Sequence, residues 1–284
     1  MPSKESTESV NRLAMSILTI PNARPTVVLF DWHATLVDTH DAMYHAVDDV
    51  LPKLHELGLI ERLVKTENSK TLEDAKLVKY VRENAKLHPK IRSERKISRT
   101  DIFQVLFGED QEAKKIAHHA FDQAYRNYYG EVKPLEEGVE KMLQDLHSLD
   151  LKVGALTNRS REFMESELQR VSEEGWEHYF QSVVCGDDVE RRKPAPDQIF
   201  KSLEILSEEP SLHCWYVGDS TTDMIAAKEA GITGIFYNGA HWHQEWIDKI
   251  FPGTVTHPHQ PDAVVDNFKE LMHLVRLEKF MVSE

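Results

Sequence analysis

The sequence predicts an α/β fold: a doubly wound parallel sheet with a helical domain inserted after its first strand. The first observation is an alternation of short apolar runs with helical patterns, which is typical of a parallel sheet covered by helices on both faces. The second is a long segment between Asp38 and Pro134 with helical periodicity and hardly any strand pattern. A segment of that length can form a small helical bundle.

Apolar runs rich in β-branched residues predict the strands of the sheet. The first run, TVVLF, follows Pro25 and stops abruptly at Asp31. Short continuous runs of this kind are expected to be buried on both faces, as strands of parallel sheets are. The other predicted strands are Lys152–Leu156, Ser182–Cys185, His213–Val217 and Thr233–Tyr237.

Helical patterns fill the remaining segments and set the predicted domains. Core helices are predicted at Ser160–Val171, Pro196–Leu206, Thr221–Ala230 (with Gly231 as a C-terminal cap) and, as a final amphipathic helix, Asp262–Phe280. Helices of the insert are predicted at Asp41–Leu57, Thr71–Lys86, Arg99–Phe107 and Gln111–Tyr129. We therefore expect an N-terminal extension at residues 1–24, a core domain of residues 25–39 and 132–284, and a helical cap domain of residues 40–131.

Composition and charge exclude several functional classes. The chain has 284 residues, of which 40% are hydrophobic and 29% charged, so a wholly disordered or collagen-like protein is excluded. The formal net charge of −14 disfavours general binding to nucleic acid. No run approaches the roughly 18 apolar residues of a spanning helix, so no membrane partner is expected. Two cysteines without a secretory signal indicate reduced thiols and a cytoplasmic location.

Polar side chains follow four of the predicted strands. In a parallel sheet the carboxyl ends of the strands meet at one edge, and ligands bind in the crevice there. Carboxylate oxygens are suitable ligands for Mg²⁺, while a hydroxyl, an amide and an ammonium can bind phosphoryl oxygens. The candidate residues are Asp31, Thr157, Asn158, Lys193, Asp219 and Asp223.

Four segments resemble, in order, the signature motifs of the haloacid dehalogenase-like (HAD) superfamily, in the branch with a helical cap after the first motif. These segments are FDWHATLVD, LTNRS, RRKPAPDQIF and GDSTTDMIAAKEAG. The resemblance implies a Mg²⁺-dependent hydrolase that works through an aspartyl-phosphate. It implies that Asp31 is the nucleophile and that the main-chain carbonyl of His33 binds the metal. It also implies that Thr157, Asn158 and Lys193 bind phosphate, and that Asp219 holds the metal with Asp223 as a second ligand or an orienting group.

The first motif departs from the family pattern at two positions. Phosphatases of the superfamily read D-x-D-G-T, whereas this chain has His33 for the second Asp and Ala34 for the Gly. The second Asp normally protonates the leaving group. Histidine can do acid–base work of this kind, because its unperturbed pKa is about 6.5. Two alternatives stay open: a site for substrates with good leaving groups, or a site with different chemistry or none.

The sequence therefore predicts an enzyme that hydrolyses a small phosphate monoester with Mg²⁺. One alternative is dehalogenase-like or phosphonatase-like hydrolysis, the latter with an imine-forming lysine such as Lys65, Lys70 or Lys76. Neither is favoured, since a metal-free dehalogenase would not need Asp219 and ordinary solvated lysines are commoner. The other alternative is a phosphate- or metal-binding protein with weak turnover.

Overall fold

The structure is a computed structural model in which residues 20–94 and 97–277 are described. The predicted N-terminal extension up to residue 19 and the end of the predicted final helix lie outside these residues. The strands are β1 Val27–Asp31, β2 Val37–Asp38, β3 Lys133–Pro134, β4 Lys152–Leu156, β5 Ser182–Val184, β6 Cys214–Gly218, β7 Thr233–Tyr237 and β8 Ala263–Val265.

Helices occupy most of the segments between the strands. They are α1 His40–Val50, α2 Leu72–Asn84, α3 Pro89–Glu94, α4 Arg99–Phe107, α5 Gln111–Tyr125, α6 Val139–Ser148, α7 Arg161–Arg170, α8 Asp197–Leu206, α9 Thr221–Glu229, α10 Gln244–Ile250 and α11 Phe268–Val275.

The chain divides into two compact units, of which the first is built on a parallel sheet. This unit comprises residues 1–35, 138–158 and 179–284, as far as they are described. Its six strands are all parallel, in the order β5-β4-β1-β6-β7-β8. From β1, which pairs with both β4 and β6, the chain builds the sheet outwards in two opposite directions: β4 and β5 on one side, and β6, β7 and β8 on the other. Ligands bind at this kind of reversal in doubly wound sheets. The α/β fold class predicted from the sequence is confirmed.

Both faces of the sheet are covered by helices. Leu29 and Tyr216 pack in an apolar cluster with residues of α8 and α9, such as Ile199 and Ala226. On the opposite face, the ring of Phe30 contacts the ring of Phe268 on α11, with centroids 6.3 Å apart. Successive residues of β1 thus bury side chains on both sides, which explains the continuous apolar run in its sequence.

The second unit is mainly helical, with the short antiparallel pair of β2 and β3, and comprises Leu36–Glu137 and Arg159–His178. Its core is apolar and aromatic, with Phe103 and Phe121 fully buried. The segment with α7 is joined to α5 by polar contacts in this core: the Tyr125 hydroxyl donates to Glu167 Oε1 at 2.7 Å, and Arg159 pairs with the same carboxylate at 3.2 Å. Glu167 is fully buried, so these two partners offset the loss of its hydration. The domain limits expected from the sequence stay predictions.

The predicted final helix is wrong at its start. Ala263–Val265 is a strand that pairs with β7 at the edge of the sheet, and the helix begins only at Phe268. The β-branched pair Val264 and Val265 favours this pairing. Asn267 then caps the helix, because its side chain accepts from the backbone N–H of Glu270. The helices α3, α6 and α10 were not predicted. Among the described residues, no helix is both long and apolar enough to cross a membrane.

Substitution of Gly154 is expected to destabilise the sheet unit. A Cβ at Gly154 on β4 would lie 2.8 Å from Leu29 Cδ2 and 3.0 Å from Ser202 Oγ on α8. We expect Gly154→Ala to lower the free energy of unfolding by about 1–3 kcal/mol through overpacking, as measured by urea denaturation. Gly130→Ala is the matched control, since a Cβ there meets nothing within 4 Å. Equal effects of the two substitutions would contradict the prediction.

Candidate active site

Three carboxylates meet at the carboxyl edge of the sheet. Asp31 is the last residue of β1, and Asp219 directly follows the neighbouring strand β6. Asp223 lies in the first turn of α9, which begins two residues after Asp219. Carboxylate oxygens of the three residues lie within 4.8 Å of one another. Asp31 and Asp223 are buried and Asp219 is partly exposed. Repulsion within such a cluster requires positive charge close to it.

The ammonium of Lys193 supplies positive charge to this cluster. Its Nζ donates to Asp31 Oδ1 at 2.5 Å and to Asp223 Oδ1 at 2.8 Å. It also donates to the hydroxyl of Tyr216 at 2.7 Å. Three successive cations, Arg191, Arg192 and Lys193, occur here in the sequence, and the structure brings Lys193 to the cluster, as predicted. Arg191 instead pairs with Asp197 on the surface, and Arg192 donates to the carbonyl of Gly186.

Asn158 fixes the backbone of Lys193. Its side-chain Oδ1 accepts from the Lys193 N–H at 3.0 Å, and its Nδ2 donates to the Lys193 carbonyl at 3.0 Å. This reciprocal pair joins the end of β4 to the segment that carries the lysine. In the structure the amide of Asn158 is therefore engaged with protein backbone, and its contact with phosphate stays a prediction.

Asp223 has a donor at each of its acceptor positions. Its Oδ2 accepts from the N–H of Ser220 at 3.1 Å and from the Ser220 hydroxyl at 2.5 Å. The first of these bonds, with the reciprocal bond from the Asp223 N–H to Ser220 Oγ, forms a capping box on α9. Its Oδ1 accepts from Lys193 and from Tyr216. Since an ionised carboxylate has about four acceptor sites, this arrangement favours an orienting role for Asp223 over metal ligation. Gly218 leaves room for this side chain, because a Cβ there would lie 2.5 Å from Asp223 Cγ.

His33 lies next to Thr157. The distance between His33 Nδ1 and Thr157 Oγ1 is 3.4 Å. Thr157 is buried, and its backbone is fixed from two sides: its N–H donates to the carbonyl of Val184, and Gln198 Nε2 donates to its carbonyl at 2.7 Å. The next residue of the first motif, Ala34, has a left-handed backbone with φ 60°. The backbone at Ala34 is thus one that glycine adopts readily and other residues rarely do.

Two residues of the site were missed by sequence reasoning, Tyr216 and Gln198. Tyr216 was assigned only to a buried strand, and Gln198 only to a helix. Both side chains are buried, where polar groups require hydrogen-bond partners, and Tyr216 lies in the apolar cluster between the sheet and the helices α8 and α9. For Tyr216, the available signal was a phenol hydroxyl within an apolar strand pattern.

Burial and charge change the proton affinities of the cluster. Burial, together with the charge of Asp223, raises the pKa of Asp31 to about 6, although Lys193 acts in the opposite direction. Burial and the charges of Asp31 and Asp223 raise the pKa of Asp219 well above its ordinary value. Burial also raises the pKa of the Tyr216 phenol. For Lys193, burial alone would lower the pKa, but Asp223 and Asp31 outweigh it and the pKa is raised. One ammonium does not balance three carboxylates.

Comparisons with known proteins agree with this arrangement. A family model described as haloacid dehalogenase-like hydrolase matches residues 28–237. A phosphoglycolate phosphatase of Salmonella typhi is 29% identical over 254 residues, which cover 86% of this chain and 90% of that protein. The structure of a HAD-superfamily hydrolase from Geobacter sulfurreducens PCA has a TM-score of 0.54 at 19% identity, covering 89% of this chain and 98% of that one. A predicted phosphoglycolate phosphatase from Haemophilus somnus 129pt has a TM-score of 0.58 at 16% identity, with coverages of 89% and 99%. These two structures share the fold.

The raised pKa of Asp31 predicts a pH-dependent effect of Asp31→Asn on stability. Because the folded state holds this proton more tightly than the unfolded chain, the associated stability is fully present below about pH 4 and is lost as the pH rises through 6. Without divalent cations, we expect Asp31→Asn to be more stable than wild type at pH 7.5, by roughly 1–3 kcal/mol, and not at pH 4. Urea denaturation in chelator measures the difference.

The control for this experiment is Asp248→Asn, which removes an exposed carboxylate of α10. It corrects for the change in net charge. A gain in stability from Asp31→Asn that is the same at both pH values, or that Asp248→Asn reproduces, would contradict the prediction.

Proposed function

The chain belongs to the haloacid dehalogenase-like hydrolases, as its four motifs predicted, and we propose that it is a Mg²⁺-dependent phosphatase of a small phosphate monoester. The observation that supports this most directly is the ammonium of Lys193 between Asp31 and Asp223 at the carboxyl end of β1. A carboxylate nucleophile beside a buried cation is suited to attack on phosphorus, since the cation can also bind the phosphoryl oxygens. The relatives named phosphoglycolate phosphatase suggest a phosphorylated small acid as substrate.

The residues of the cluster suit Mg²⁺. Three carboxylates with one ammonium leave negative charge uncompensated, and oxygen atoms are the ligands that this hard cation prefers. Asp31, Asp219 and the main-chain carbonyl of His33 would hold it, with Asp223 behind them orienting Lys193. When bound, the metal would lower the repulsion between the Asp31 carboxylate and the anionic phosphoryl group.

The reaction we propose has two steps at Asp31. A carboxylate oxygen of Asp31 forms a bond to phosphorus, while the bond from phosphorus to the leaving oxygen breaks and that oxygen takes up a proton. Water then attacks the phosphorus of the aspartyl-phosphate, which releases phosphate, returns a proton to the acid–base group and restores the Asp31 carboxylate. Thr157 and Lys193 bind phosphoryl oxygens in both steps, and Asn158 keeps the backbone of Lys193 in place.

His33 is the acid–base group in this proposal. Its Nδ1 lies 3.4 Å from the hydroxyl of Thr157, so the imidazole is adjacent to a residue that would bind the phosphoryl group. A neutral imidazole can accept a proton from water and its protonated form can donate one to a leaving oxygen. Binding without turnover is the second candidate function, and the variant first motif is the observation that favours it.

Replacement of Asp31 is expected to abolish turnover. We expect Asp31→Asn to reduce kcat at least about 1,000-fold, because the amide cannot form the phosphoryl intermediate. Chelation of divalent cations should have the same effect on the wild-type protein. The measurement is phosphate release from an aryl phosphate, acetyl phosphate and phosphoglycolate, with Asp248→Asn as the control. If wild type releases no phosphate from any of them yet still binds inorganic phosphate, the binding function is favoured.

Replacement of His33 is expected to affect substrates according to their leaving groups. A poor leaving group needs protonation, so we expect His33→Ala to reduce kcat for phosphoglycolate about 100-fold or more. For acetyl phosphate, whose leaving group is stable as an anion, we expect less than about a tenfold loss. The matched variant His33→Asp restores the residue of the family motif and should retain turnover of phosphoglycolate. If His33→Ala lowers kcat equally for phosphoglycolate and acetyl phosphate, His33 does not act as a proton donor to the leaving group.

A further inference from the structure

Tyr216 is a polar residue inside an apolar layer of the sheet unit. It lies on β6 and is fully buried, in register with Leu29 of β1 and Gly234 of β7. Its ring belongs to the apolar cluster that contains Ala226 and Ile199. Phenylalanine would fill this volume equally well, and a buried hydroxyl is unfavourable unless it has partners. The hydroxyl of Tyr216 therefore needs an explanation beyond packing.

The hydroxyl of Tyr216 is bonded both as a donor and as an acceptor. It accepts from Lys193 Nζ at 2.7 Å and donates to Asp223 Oδ1 at 2.9 Å. Lys193 Nζ lies 5.4 Å from the centre of the Tyr216 ring, close to the ring plane and beyond the phenol oxygen, so the contact is with the hydroxyl and not with the ring face. Tyr216 thus contacts the cation through its hydroxyl oxygen.

Each of the three N–H groups of the Lys193 ammonium has a partner in the structure. Two partners are the carboxylates of Asp31 and Asp223, and the third is the hydroxyl of Tyr216. A lysine side chain is a flexible chain of four carbons, so several partners are needed to hold its ammonium in a single position. Asp31 is the group that would form a bond to phosphorus, and its contact with Lys193 must change during the reaction. The contact with the neutral Tyr216 need not change.

We propose that Tyr216 is a positioning residue, whose hydroxyl holds the ammonium of Lys193 beside Asp31 while a phosphoryl group binds and reacts. The inference rests on the proposed phosphatase function of the same site. Strand β6 would then have two roles at the site: Asp219 follows its last residue, and Tyr216 within it positions Lys193. Tyr216 acts through Lys193 and Asp223 and does not itself contact the substrate.

The test compares two substitutions that each remove one buried tyrosine hydroxyl. Tyr216→Phe keeps the ring, and Tyr237→Phe makes the same change on the neighbouring strand β7, where Tyr237 is also buried. The melting temperature reports folding. Steady-state kinetics with phosphoglycolate and acetyl phosphate report kcat and KM separately, and calorimetric titration with inorganic phosphate in Mg²⁺ reports binding without turnover. Both substitutions are also made in a Lys193→Met background.

We expect Tyr216→Phe to lower kcat about 10- to 100-fold, because the substitution removes a hydrogen bond to a charged group. We expect KM to change by less than about threefold. The affinity for phosphate should fall several-fold. Tyr237→Phe should show neither effect, and the two melting temperatures should fall by similar amounts. In the Lys193→Met background, Tyr216→Phe should cause no further loss of kcat or of phosphate affinity.

Other results overturn the inference or the proposed function separately. If kcat and phosphate affinity stay within twofold of wild type in Tyr216→Phe, or fall equally in the Lys193→Met background, Tyr216 does not act through Lys193. If wild type shows no turnover, the phosphatase function fails, and the affinity for inorganic phosphate then tests the positioning role by itself. Weaker binding by Tyr216→Phe supports that role, and unchanged binding overturns it. A wild-type protein that neither turns over nor binds phosphate overturns both.

Discussion

The buried ammonium of Lys193 is the interaction on which the candidate site depends. Carboxylate oxygens of Asp31, Asp219 and Asp223 lie within 4.8 Å of one another, an arrangement that mutual repulsion and lost hydration both oppose. Lys193 compensates part of that charge through direct hydrogen bonds to two of the three. Burial keeps the pKa of Asp31 and of Asp219 raised, although Lys193 acts in the opposite direction on both. A site with excess negative charge and oxygen donors is suited to a divalent cation, which the proposed reaction also needs.

The rest of the sheet unit brings this ammonium to the cluster. Asn158, after β4, holds the backbone of Lys193 by two reciprocal hydrogen bonds, and Gln198 on α8 holds the carbonyl of the preceding Thr157. Asp223 interacts with both α9 and Lys193, because one of its oxygens caps the helix and the other accepts from the ammonium. Gly218 has no side chain at the point where Asp223 lies. Helix formation at α9 and placement of the cation are therefore coupled through one carboxylate.

The sequence predicts the components of this site better than the contacts among them. Parallel strands end at one edge, so residues such as Asp31 and Asp219, which follow apolar runs, could be expected to converge. The role of Tyr216 could not be predicted, because tyrosine and phenylalanine are equivalent in an apolar strand pattern until the partner of the hydroxyl is known. The segment Ala263–Val265 was misassigned for a related reason: three apolar residues fit a helix face or an edge strand, and pairing with β7 decides between them.

The variant first motif places a residue with a Cβ in a left-handed conformation within the turn that follows Asp31. Ala34 has φ 60° at the position of the family's glycine, although a left-handed conformation costs a residue with a Cβ about 1–2 kcal/mol. Unfavourable backbone of this kind persists where the surrounding structure requires it, often at functional sites. The turn that follows Asp31 thus has a left-handed residue without the glycine that best accommodates it. An unfavourable backbone conformation so close to the proposed nucleophile supports our proposal that the site is functional and that His33 replaces the usual proton donor.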